Sequence, residues 1–351
     1  MFANEHTNAD GAAVQRFPWE APPTHTEVIE VTDGIFWVRS PLPLRLDHVN
    51  CYVLDDGDGW TLVDTGMDHM PSREAWETLL TGPLSVKPIH RVVITHHHPD
   101  HIGLLGWFAE HGAEVWITRL GYALGRMMQM DRPDVQPAQS IAFRRLAGQS
   151  EEDVAEFAKE KPWHFPVTAI PLGFRVIEDG ATLRMGGRDW TVHFGHGHAW
   201  DHATFWTNDV VLAGDQIIPG ISSNVGVWAL EPEADTVGAW LESCLRLREV
   251  ARGTDPLILP GHKLPFRGVD LRLTQLIENH HSALDRIMKT LSEGPKTAQQ
   301  MFQAIFMRDI RGSQYGLALA ESVAHMNHLR KLGKVQRDLI NGAWVYKIGE
   351  P

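Results

Sequence analysis

Besides His97, four side chains able to bind a metal ion stand within six residues in the run Thr95-His96-His97-His98-Pro99-Asp100-His101. The apolar run HRVVIT (90–95) before it reads as a strand, and the pattern from Ile102 to Glu110 after it reads as a helix. In an extended chain, residues two apart point the same way. His96 and His98 can therefore reach one ion while His97 points away. Asp100 and His101 lie where the chain turns into the helix and can present an oxygen and a nitrogen together. Borderline divalent ions such as Zn²⁺ accept this mixture of imidazole and carboxylate. The plain alternative is a histidine-rich turn without metal, which four donors in six residues disfavour.

The run fits an H-x-H-x-D-H signature, and in it the chain resembles the metallo-β-lactamase superfamily. Further motifs of that family follow in order over residues 25–268: GHGHAWDH with His198, LAGDQI with Asp215, LPGHKLPF with His262. Upstream, VNCYVLDD and WTLVDTG resemble its early hairpin, ending in Asp64-Thr65-Gly66. The resemblance implies an α+β fold, an αββα sandwich with the metals at one edge of its two sheets. It implies one cation on His96, His98 and His198, a second on Asp100, His101 and His262, and Asp215 bridging the two beside a water or hydroxide. Two divalent ions lower the pKa of such a water enough to give a nucleophile near neutral pH. Asp100 and Asp215 are then the expected catalytic carboxylates. Zn²⁺ is the expected metal, with Mn²⁺ and Fe²⁺ also accepting these ligands. Asp64 is no ligand in the family pattern and is expected to orient ligands by hydrogen bonds; a turn aspartate capping local N–H groups is the alternative. Ala199-Trp200-Asp201 replace the family's Thr-Pro-Gly, so His202 is read as a supporting group and not as a ligand.

The elements that must position these groups are legible in outline. TEVIEV, GIFWVRS, VNCYVLDD and WTLVDTG read as short strands, and a helix is expected at 71–81. EVWIT (114–118), ATLRM (181–185), DWTVHFG (189–195), ATFWT (203–207) and DVVLAGD (209–215) read as strands, with a helix over 233–250. Residues 119–165 form a helical insertion, either a lid or a surface decoration with a Met-filled core. Trp200, Tyr122 and Met127 are candidates for lining a substrate pocket, with plain packing as the alternative. His280-His281 are read as part of a solvated helix face. The expected division is a flexible lead at 1–23, a main domain at 24–268, and a C-terminal domain at 269–351. The last reads as helix, helix, helix and β-hairpin, a winged helix resembling the extension of the lactamase-beta-like branch.

Composition removes several classes. The length of 351 residues suits two domains, and 43% hydrophobic with 22% charged residues is ordinary for a globular chain. Cys51 and Cys244 are the only cysteines, which excludes a disulfide framework and fits a reducing, cytoplasmic location. No apolar run of membrane-spanning length exists, and the lead lacks the basic and apolar regions of a secretory signal. A formal net charge of −12 disfavours nucleic acid as partner. From Leu276 onward ten Lys/Arg face seven Asp/Glu, so the tail is only mildly basic. Its last helix carries few cations before Arg330, which argues against a DNA-binding regulator and for a tail that packs on the main domain or on a second subunit, as in a homodimer.

The expected function is a binuclear metal hydrolase acting on a small-molecule ester, thioester or lactone. The bridging Asp215 stands where a β-lactamase of the best-known type has Cys, and a flavodiiron oxidoreductase needs Glu at His98. A nuclease or phosphodiesterase and a mononuclear iron persulfide dioxygenase are the alternatives.

Overall fold

The computed structural model describes residues 14–349. Four antiparallel strands open the chain: β1 (Ile29–Thr32), β2 (Ile35–Pro41), β3 (His48–Asp55) and β4 (Trp60–Val63). β5 (Ile89–Val93), β6 (Glu114–Ile117) and β7 (Arg175–Val176) then add in parallel, giving a seven-stranded sheet in sequence order. The helices between them are α1 (Met70–Thr81), α2 (Pro99–Ile102), α3 (Leu105–Glu110), α4 (Arg119–Met130), α5 (Ala138–Leu146) and α6 (Glu151–Lys159). A second sheet holds β8 (Thr182–Met185), β9 (Arg188–Gly195), β10 (His202–Trp206), β11 (Val210–Gly214) and β12 (Leu257–Pro260), with β11 and β12 parallel. α7 (Thr236–Val250) lies between β11 and β12, and α8 (Val269–Leu291) leads into the tail.

Alternation along the strands sorts side chains to two faces and so makes the layers. Trp37, Tyr52 and Leu54 of the first sheet meet Trp190, Phe205 and Leu259 of the second. On the outer face of the first sheet, Val53, Leu62 and Val92 pack under Trp76 and Phe108. Those two rings meet edge-on at 5.0 Å, worth about 0.5–1.5 kcal/mol beyond the area they bury. On the outer face of the second sheet, Ala213 and Ile258 pack under Trp240, Cys244, Leu273 and Leu276. The result is the expected αββα sandwich.

The tail continues with β13 (Lys296–Thr297), α9 (Phe302–Phe306), α10 (Tyr315–Lys331), β14 (Val335–Ile340) and β15 (Ala343–Ile348), the three strands pairing in the order β13-β15-β14. Its Val323, Met326 and Tyr346 join the same apolar cluster as α7 and α8, so the tail packs on the main body. His328 Nδ1 donates to Asp235 at 2.9 Å, and Arg330 and Arg337 pair with Glu233. The insertion is braced by the tail: Phe143 lies edge-on to Trp344, and Ala147 O accepts Gln299 N–H at 3.0 Å.

Three expectations need correcting. Residues 1–13 of the expected lead lie outside the described residues, but 14–23 are not loose. Arg16 and Arg267 exchange backbone hydrogen bonds, and Phe17 and Trp19 pack against Phe266 and Trp37. The apolar and aromatic residues of that segment cover an edge of the core. The single helix expected from Ile102 is two helices, because Leu104 N–H bonds to Gly66 O and Thr65 Oγ1 instead of continuing the first. Gly103 permits this approach, since a Cβ there would sit 2.6 Å from Asp68 N. His280 is not solvated: it is 1% exposed and faces His325. Among the described residues, no helix is long and apolar enough to cross a membrane.

Candidate metal centre

The chemistry-bearing residues follow the carboxyl ends of strands at one edge of the sandwich: Asp64 after β4, residues 95–101 after β5, His198 between β9 and β10, Asp215 after β11, and His262 after β12. The donor atoms of His96, His98 and His198 lie within 4.8 Å of one another, as do those of Asp100, His101 and His262. Asp215 stands between the groups. Its Oδ1 is 3.3 Å from His101 Nε2, and its Oδ2 is 3.4 Å from His198 Nε2 and 3.5 Å from His262 Nε2. The structure thus brings together all seven residues named from the sequence, and no group formed by them includes His97.

Hydrogen bonds made by the outer ring nitrogens fix which nitrogen faces inward. Asp64, at a left-handed φ of 58°, accepts from Thr95 N–H at 2.9 Å, from Thr95 Oγ1 at 2.8 Å and from His101 Nδ1 at 2.7 Å. Thr95 Oγ1, having given its proton to Asp64, accepts from His96 Nδ1 at 3.0 Å. His198 Nδ1 donates to Asn224 O at 2.8 Å, and His262 Nδ1 donates to His48 O at 2.7 Å. Each bond turns the ring's Nε2 into the cluster. His98 differs, with its Nδ1 3.0 Å from His96 Nε2. Asp64 therefore makes the bonds expected of an orienting group.

The donor set fits divalent cations. His101 Nε2, His198 Nε2 and Asp215 Oδ1 are buried with no hydrogen-bond partner. An unpaired buried polar atom is costly unless something else satisfies it. Separations of 3.3–3.5 Å without hydrogen-bond geometry match ligands sharing one tetrahedral ion at about 2.0–2.1 Å per bond. Burial, and then the neighbouring rings, hold His96 and His98 well below the usual histidine range, so both are neutral donors. Burial also works on His262, but Asp215 and Asp100 outweigh it and push it up to about 10. The carboxylates of this cavity draw positive charge, which a cation supplies.

His202 is placed as the sequence suggests. Its Nε2 accepts Asp215 N–H at 3.0 Å and its ring stacks on His96 at 4.5 Å. Burial holds it down to about 3, so it stays neutral and accepts from the Asp215 backbone. The expected pocket residues fare differently. Tyr122 stacks on Phe174 and spends its hydroxyl on Pro171 O and Leu172 O. Met127 is 40% exposed on α4. Trp200 packs against the cluster around α7 and lies 5.8 Å from the His196 ring. None of these contacts is with a candidate ligand.

Sequence reasoning misses three supports: Asn50, His48 and Asn224. Asn50 Nδ2 donates to Pro260 O at 2.9 Å and Lys263 O at 2.8 Å, straddling His262, and its Oδ1 accepts from Trp37 Nε1. A lone asparagine inside the apolar strand HVNCYVLD is the signal that could reveal it. Gly261 is required by space, since a Cβ there would overlap Asp215 Oδ1.

The Metallo-beta-lactamase superfamily profile matches residues 44–262, and the profile for the Metallo-beta-lactamase-like, C-terminal domain matches 284–348. The chain belongs to the metallo-β-lactamase superfamily. It is 32% identical to a beta-lactamase domain protein from Burkholderia ambifaria, with a TM-score of 0.84 over 95% of this chain and 97% of that one. A metallo-beta-lactamase family protein from Thermus thermophilus is 29% identical, with a TM-score of 0.75 over 91% of this chain and all of that one (100%). Among curated proteins it is 24% identical to the "Probable metallo-hydrolase YqjP" of Bacillus subtilis, over 85% of this chain and 92% of the relative. It is 26% identical to the "Acyl-coenzyme A thioesterase MBLAC2" of Homo sapiens, over 71% of this chain and 85% of the relative. The protein is a metal-dependent hydrolase.

Proposed function

We propose that the protein hydrolyses an ester, thioester or lactone at a binuclear centre, and that acyl thioesters are its foremost substrate class. The observation that carries the binuclear reading is Asp215, whose two carboxylate oxygens reach donors of both histidine groups. His96, His98 and His198 would hold one cation, and Asp100, His101 and His262 the other. Bound there, two divalent cations, Zn²⁺ by the donor set, supply Lewis acidity and a water ionised near neutral pH. Asp100 and Asp215 would orient that water, while Thr95, Asp64, Asn224 and His48 hold the rings of His96, His101, His198 and His262 with Nε2 turned toward it.

The thioester preference draws on the relative named an acyl-coenzyme A thioesterase and on a cavity of about 490 Å³ lined in part by His48, whose carbonyl holds the His262 ring. Phe17, Ile221 and Leu264 give it apolar walls, and Arg39, His48 and Lys263, with the single acid Glu20, give it polar ones. Such a space suits an acyl chain with an anionic group at one end. The winged-helix reading of residues 269–351 belongs to the same proposal, as does a homodimer through that segment. Leu339, Ile340 and Ile348 on its hairpin are exposed, and light scattering would find twice the chain mass. A panel of acyl-coenzyme A thioesters, activated esters, lactones and phosphodiesters tests the substrate class on zinc-loaded protein. Thioesters turning over fastest supports it; phosphodiesters doing so overturns it.

A further inference from the structure

The loop after Asp215 is held from two sides. Toward the metal centre, Ser223 Oγ donates to Asp215 O, and Asn224 O accepts from His198 Nδ1 at 2.8 Å. Toward the tail, Asn224 Nδ2 donates to Glu321 Oε2 at 2.8 Å, and Val227 N–H donates to Ala320 O at 3.0 Å. Asn224 is therefore engaged at both ends: its carbonyl on a candidate ligand and its amide on an acid of α10. Glu321 is itself braced. Its carbonyl accepts from His325 Nδ1 at 2.8 Å, and His325 Nε2 lies 3.1 Å from His280 Nδ1. Both rings are 1% exposed, beside the apolar cluster that joins α8 and α10. Polar groups so buried are expensive unless they form a connected network, and this one ends on His198.

We propose that Glu321 is a positioning residue for the metal centre: by holding the Asn224 amide it sets the Asn224 carbonyl, and through it the ring of His198. The C-terminal segment would thereby complete a site whose ligands all belong to the main domain. This rests on the reading of His198 as a ligand. Removing an outer partner of a ligating histidine changes metal affinity by about 10–100-fold, and Glu321 acts one step further out, so about tenfold is expected.

The test measures Zn²⁺ affinity of the full chain by competition with a chromophoric chelator, together with the visible spectrum of the Co²⁺ form. Glu321→Ala should weaken one of two cations by about tenfold and shift the Co²⁺ bands. Asn224→Ala, which removes the same bond from the other side, should do likewise. Glu321→Gln keeps an oxygen to accept from Asn224 and should restore both readouts, which a merely structural role would not predict. Two bound cations with unchanged affinity and spectrum in Glu321→Ala, or a loss in Glu321→Gln as large as in Glu321→Ala, would overturn the proposal while leaving the metal centre standing. If His198→Ala binds Co²⁺ like the wild type, the ligand reading fails and the proposal falls with it.

Discussion

The carboxylate of Asp215 reaches donor atoms from both groups of candidate ligands. Asp215→Ala removes the charge that holds them together, and hydrolysis should fall by at least about 10³-fold in steady-state assays. Turnover near the wild-type rate would mean that the bridge is not needed. Cys51 makes the opposite case. It is fully buried in β3 beneath the first sheet's outer helices, far from titrating, since burial raises its thiol well above the usual range. Cys51→Ser should keep kcat within about twofold while costing about 1–3 kcal/mol of stability, because its hydroxyl would be buried without a partner. A large loss of kcat at unchanged melting temperature would assign the thiol a role in the chemistry.

Strand ends and the turns after them place the ligands, so backbone changes there should act on the metal centre. Gly261→Ala is the sharpest instance, because its Cβ would overlap Asp215 Oδ1 and come within 2.8 Å of His101 Cε1. It should abolish high-affinity metal binding in equilibrium dialysis while the far-UV circular dichroism stays unchanged; normal binding would show that the loop yields. The legibility of these elements follows from how each acts. His96, His98, Asp100 and His101 show in the sequence because side-chain spacing after a strand carries their geometry. His198, Asp215 and His262 lie far apart in the chain and are reached only through motif resemblance. His48 and Asn224 act through backbone carbonyls, which every residue type possesses, so no pattern of side chains marks them. β7 has two residues, too short for alternation to show. His280 follows Leu273, Leu276 and Ile277 on the buried stripe of α8, so helical periodicity contained its burial and the polar residue type masked it.

The molecule as a whole couples its two profile-matched segments through one apolar cluster and a buried polar network, and this has a consequence for acid stability. Burial, then neighbouring His325, His281 and His328, hold His280 down to about 3. Burial, with His328 and Arg286 and against the bond to the Glu321 carbonyl, holds His325 down to about 4. A ring whose folded pKa lies below its unfolded value stabilises in the neutral form. The contribution is complete above about pH 6.5 and is lost as pH falls toward 4 and 3. Glu321 runs the other way: burial pushes it up to about 7 against the Asn224 bond, so its contribution is complete below the usual glutamate range and lost as pH rises through 7. Two rings outweigh one carboxyl between about pH 6.5 and 4.5, so this network should cost roughly 1–2 kcal/mol on acidification. Thermal melts of wild type and His280→Gln/His325→Gln should show a shallower pH slope in the double variant; equal slopes would mean the rings are not buried neutral.

The central claim is that imidazoles and carboxylates from strand ends of both sheets enclose two cations. The metal content of zinc-reconstituted, dialysed protein, determined by inductively coupled plasma mass spectrometry, tests it most directly. Two zinc ions per chain are expected in the wild type and fewer than two in Asp215→Ala. A wild-type protein that emerges with no bound zinc, or an Asp215→Ala variant that keeps both ions, would contradict it.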